Sequence, residues 1–137
     1  MVDMARVLAL DHGTTRIGVA VSDPLGLTAQ AHSVLDAGPG LMDRIGNLVS
    51  ELGVERIVVG LPVGLDGSEG AAARDARGFA AAVGAATGRP VELVDERFST
   101  VIAERAMIEA GARRDRRRRS RDSVAAAVFL QSYLDGK

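Results

Sequence analysis

Residues 8–23 read LALDHGTTRIGVAVSD, and this stretch decides the architecture. Ala5 to Leu10 form an apolar run broken only by Arg6, as expected of a central strand buried on both faces. Gly13-Thr14-Thr15-Arg16 is turn-like, and Ile17 to Ser22 (IGVAVS) is a second strand, so the two make a hairpin. Asp11 stands at its mouth. A desolvated carboxylate is costly, so an acid at the end of a core strand calls for a partner.

Working outward, Asp23-Pro24-Leu25-Gly26 is a turn and Ala29 to Leu35 a weaker third strand. Leu41, Ile45, Leu48, Val49 and Leu52 recur at helical spacing, with Gly53 as the C-terminal cap. Arg56 to Gly60 is a buried strand, Leu61 to Gly67 a loop, and Ser68 to about Ala86 an Ala-rich helix. Val91 to Val94 is a fifth strand. A helix is expected from Ser99 or Thr100 to Ala110, where Gly111 stops it. A last helix is expected from Ser120, as N-cap, through Leu134, with Val124, Ala127, Val128 and Leu134 on one face. The order βββαβαβαα predicts an α/β domain spanning 1–137. Its mixed five-stranded sheet, a three-stranded antiparallel meander plus two parallel strands, is flanked by helices.

Two further acids occupy positions like that of Asp11. Glu96 follows the fifth strand in VELVDERFST, and Asp122 opens the last predicted helix, where the positive dipole end favours a carboxylate. Ligands of open α/β sheets bind beyond the carboxyl ends of parallel strands, so Asp11, the Gly60-Leu61-Pro62 turn and Asp95-Glu96 should share one edge. Carboxylates gathered there would repel one another without a cation, which points to Mg²⁺ or Mn²⁺. Asp95 is a second candidate beside Glu96. His12 and His32 lack metal-ligand spacing.

The 137 residues include no cysteine, which excludes disulfides and thiolate metal sites. No apolar run approaches the ~20 residues that span a bilayer, and the N-terminal apolar stretch is too short for a secretory signal, so a cytoplasmic location and no membrane partner are expected. Net charge is −1, but RRDRRRRSR, Arg113 to Arg121, carries +6, leaving −7 for the remainder. Such a basic segment on an acidic body is a footprint for polyanions. It marks Arg116, Arg117, Arg118, Arg119 and Arg121, together with Arg97, as candidate nucleic-acid contacts. Low aromatic content argues for backbone and shape recognition over base stacking.

DHGTTRIGVAVSD, IVVGLP with the following DGS, VDERFST and RDSVAAAVFLQSYLD resemble, in order and over nearly the whole chain, the motifs of the YqgF/RuvX family of precursor 16S rRNA nucleases, also called Holliday junction resolvases. The resemblance implies an RNase H-like fold, with Asp11, Glu96 and Asp122 as catalytic metal ligands. It implies two-metal hydrolysis of a phosphodiester, the ions about 4 Å apart. His12 departs from the aromatic or apolar residue common there, and Gly64 in PVGLDG from the polar residue of PLNMDG. Processing of the 5′ end of precursor 16S rRNA is the leading function, with resolution of branched DNA as the alternative. A non-catalytic nucleic-acid-binding factor is a second alternative. An actin-like nucleotide-binding enzyme ranks last, because such enzymes close a cleft between two domains. Monomer and homodimer both remain open.

Overall fold

The computed structural model describes residues 6–13, 15–64, 66–95 and 114–136, the last segment in side-chain detail from position 123 onward. Five strands and three helices follow in the order β1 (Arg6–His12), β2 (Arg16–Ser22), β3 (Ala29–Asp36), α1 (Leu41–Leu52), β4 (Val54–Leu61), α2 (Ala71–Thr87), β5 (Val91–Asp95) and α3 (Arg114–Asp135). The sheet order is β3-β2-β1-β4-β5. β1, β2 and β3 form the antiparallel meander, while β4 and β5 run parallel to β1, as the alternation of elements predicts.

Strand alternation divides the core into two layers. Leu8, Leu10, Ile17, Val19, Ile57 and Val59 face α1 and α2, where Ile45, Val49, Phe79 and Val83 meet them. Val7, Ala9, Ala20 and Val58 face α3, where Ala126, Phe129 and Leu130 cover them. Every buried strand is thus apolar on both sides, which is why the sequence reads as unbroken hydrophobic runs. Gly53 closes α1 in the left-handed conformation, φ 65°, as predicted.

Three details correct the sequence reading. β1 runs two residues past Leu10, so Asp11 lies within the strand, paired with Gly18, and does not follow it. The extension holds because the turn beyond it is closed by the Gly13 N–H donating to the Arg16 carbonyl at 3.0 Å. α2 starts at Ala71, since the Ser68 backbone is engaged in the preceding loop. α3 begins at Arg114, six residues before the expected Ser120 cap. Arginine is a good helix former and nothing between 114 and 120 breaks a helix, so local propensity carries it through the basic run.

The buried stripe of α3 also differs from the predicted face. Ala126, Phe129 and Leu130 lie deepest, with Val124, Ala127 and Val128 half-buried on the flanks. The helix predicted between positions 99 and 110 lies outside the described residues, as does Phe98.

Gly13 is sterically required. A Cβ there would stand 2.6 Å from the Arg16 carbonyl oxygen, a contact only backbone movement relieves. Gly13→Ala is expected to cost about 1–3 kcal/mol, the usual range for overpacking, read as a lower urea midpoint with an unchanged m-value.

Candidate active site

The edge where β1, β4 and β5 end is roofed by three loops. Residues 13–16 join the hairpin. Residues 37–40 lead into α1 and are tied to the hairpin because the Ala37 N–H donates to the Thr15 carbonyl at 2.9 Å. Arg44 fastens the same loop, its guanidinium donating to the Asp36 carbonyl at 2.6 Å. Residues 62–70 form the third loop. There the Gly64 N–H donates to the Ser68 carbonyl at 2.8 Å and the Ser68 N–H to the Asp66 carboxylate at 3.0 Å.

A Cβ on Gly64 would lie 2.8 Å from the Ser68 hydroxyl and 3.0 Å from an Asp66 carboxylate oxygen, so a larger residue here would require those two side chains to move. The hydrogen bonds from Ser68 hold the Asp66 carboxyl below the usual carboxylate range. Glu69 takes two bonds from the Arg77 guanidinium, at 2.7 and 2.8 Å, which ties the loop to α2 and lowers the Glu69 pKa. Nothing in the sequence pointed to this pair, because its partners lie eight residues apart across a helix start.

Asp11 is partly exposed at this edge, and its face is set by register. It is in phase with Val7 and Ala9, so it belongs to the α3 side. Its direct partner in β2 is Gly18. In β4 the position one step beyond the Leu10–Val59 pair is Gly60, which lines up in turn with Val94 of β5. The positions level with Asp11 in the two neighbouring strands are therefore both glycines. Asp95 is in phase with Leu93, which packs in the α1/α2 layer, so it belongs to the opposite face from Asp11.

α3 runs toward the same edge. Its C-terminal half is anchored at the other end of the sheet. Tyr133 accepts a 2.9 Å bond from Arg56 near the start of β4, and Gln131 accepts from the Ala29 N–H and donates to the Leu27 carbonyl at the start of β3. From Tyr133 back to position 122 is eleven residues, a rise of about 16 Å. From Arg56 to Gly60, the level of Asp11, is four strand residues or about 13 Å. The backbone at position 122 therefore comes within about 3 Å of the height of Asp11, one turn before Ala126. It sits in the third turn of its helix and not the first, so the helix-dipole argument for Asp122 falls, because that effect fades within one turn.

Of the three predicted acids, Asp11 is placed by its strand register and Asp122 by its position along α3. Glu96 lies outside the described residues, as does Arg97. Arg116 to Arg119 and Arg121 lie on the first turns of α3. Among the described residues no three His, Cys, Asp or Glu side chains group as a metal site. His32 is exposed on the edge strand, as expected. His12 is half-buried on the α2 side, its ring 4.6 Å from that of Phe79, centroid to centroid. Burial lowers its pKa, partly opposed by the charges of Asp75 and Asp11. The alternation Leu8, Leu10, His12 was the sequence signal for that orientation.

This architecture recurs among solved structures. The chain superposes on Thermus thermophilus RuvC, solved in complex with a Holliday junction substrate, with TM-score 0.60 and 18% identity over 96% of this chain and 94% of that one. The fold is RNase H-like. Residues 5–136 match the family described as "RuvX: Holliday junction resolvase", and the chain belongs to that family. Similar relatives named "Putative pre-16S rRNA nuclease" come from Pelotomaculum thermopropionicum, 47% identical over 96% of this chain and 88% of that protein, and from Geobacillus kaustophilus, 46% identical over 96% and 99%. Among the described residues, no helix is long and apolar enough to cross a membrane.

Proposed function

We propose that this protein is a divalent-metal-dependent nuclease that trims the 5′ end of precursor 16S rRNA. One observation carries the reading. Asp11 lies at a sheet edge that ligands of such folds use, on the face that α3 covers, and the α3 backbone comes close to that level at position 122. The all-oxygen donor set suits Mg²⁺ or Mn²⁺. Asp11 is the central ligand because a paired strand holds it most rigidly. Glu96, next in sequence after β5, completes the donor set with Asp122. Bound there, the ions would activate a water and stabilise the leaving oxygen of the phosphodiester. Arg97 and the arginines at 116–119 and 121 hold the flanking phosphates. A cytoplasmic site of action fits this substrate.

The names of the relatives favour precursor rRNA, while the family description supports branched DNA as the second reading. The two are separated by offering precursor 16S rRNA and a four-way DNA junction side by side, with and without Mn²⁺. Cleavage of the RNA alone supports the leading reading, paired symmetric cuts in the junction support the second, and binding without cleavage of either means a non-catalytic factor.

Replacing Arg116 to Arg119 together with alanine is expected to weaken nucleic-acid binding. The slope of log K against log[salt] should fall by up to about 3, given roughly 0.7–0.9 per phosphate contact. An unchanged slope would remove this segment from the interface.

A further inference from the structure

We infer that His12 is a positioning residue for Asp11, acting as an aromatic wedge that locks the end of β1 against α2. The inference rests on the reading of Asp11 as a metal ligand and adds the device that keeps it aimed. The register of β1 with β4 ends at Leu10–Val59, whereas that with β2 continues through Asp11–Gly18 to His12–Ile17. Asp11 therefore rides on a segment whose register with β2 outlasts that with β4, two residues before the hairpin turn. A strand end of this kind frays unless a side chain anchors it.

His12 provides that anchor. It is the last residue of β1, and its ring lies over Phe79 with centroids 4.6 Å apart and planes inclined by 30°. Phe79 is itself buried in the α2 layer. Because adjacent strand residues face opposite ways, fixing His12 on the α2 side fixes Asp11 on the α3 side. The contact uses the ring as a flat surface, so phenylalanine should replace it and alanine should not.

Two measurements on the full chain test this. The first is amide hydrogen exchange of the metal-free protein, followed at Gly13, whose N–H bonds the Arg16 carbonyl. His12→Ala should speed that exchange several-fold, and His12→Phe should leave it as in the wild type. The second is calorimetric titration with Mn²⁺ alone. His12→Ala should bind about tenfold more weakly, the lower end of what outer-shell changes cost a metal site, with His12→Phe again like the wild type.

Unaltered exchange and Mn²⁺ affinity in His12→Ala would overturn the inference. So would a His12→Phe variant that loses Mn²⁺ affinity as His12→Ala does, since the imidazole would then be acting chemically. Altered exchange in a protein whose wild type binds no Mn²⁺ would uphold the wedge as an anchor of the strand end, and would reject the metal-nuclease reading and the role toward it.

Discussion

Asparagine at position 11 is expected to abolish Mn²⁺- or Mg²⁺-dependent cleavage while leaving the protein folded. The substitution keeps the size and most of the hydrogen-bonding capacity of the side chain but removes the charge that holds a hard cation. Metal assistance supplies several kcal/mol to a phosphodiester transition state, so the rate should fall about a thousandfold or more. Single-turnover cleavage, with circular dichroism as the control for folding, makes the measurement. Full activity in Asp11→Asn would refute the proposed site, because Asp11 is its central ligand. Activity lost together with the native spectrum would instead assign Asp11 to the fold.

The second large effect concerns α3. Phe129 is fully buried and, with Ala126 and Leu130, covers Val7, Ala9, Ala20 and Val58. The alanines at 9 and 20 leave room above the sheet that the phenyl ring occupies. Truncation would open a cavity that these small neighbours cannot fill. Phe129→Ala is therefore expected to destabilise the protein by about 3–5 kcal/mol, a large part of the 5–15 kcal/mol typical of a whole domain. Urea denaturation should show a lower midpoint with the m-value retained. A loss under about 1 kcal/mol would mean that α3 is not docked as described and would remove the argument that brings position 122 to the level of Asp11.

Sheet topology was legible because its signals were local and strong. The hairpin at 8–23, the spacing of Leu41, Ile45 and Val49, and the buried run 56–60 each matched one period only, and their order left few ways to connect them. The edge position of Asp11 followed from that order. What was not legible lay where the pattern is degenerate. VAAAVFL, residues 124–130, is apolar all round, so helical period cannot choose the face that docks, and the choice fell to the fit of Phe129 over small residues. The start of α3 was hidden because a dense run of like charges reads as a solvated loop, although arginine itself favours a helix.

The partner of His12 was hidden because Phe79 is 67 positions away in sequence. Its orientation was nonetheless written in the alternation with Leu8 and Leu10. Asp95 was the second candidate beside Glu96, and the strand period gives it a face shared with Leu93 and not with Val94.

The unbroken run of α3 from Arg114 to Asp135 has a mechanical consequence. One rod carries the cationic turns at its tip and the ring that plugs the interior at its shank, so a polyanion pulling on the tip loads the hydrophobic centre with no hinge between. If the arginines hold a polyanion as proposed, occupancy and cohesion would be in series, a strand gripped at the tip stiffening the body and a loosened interior slackening the grip.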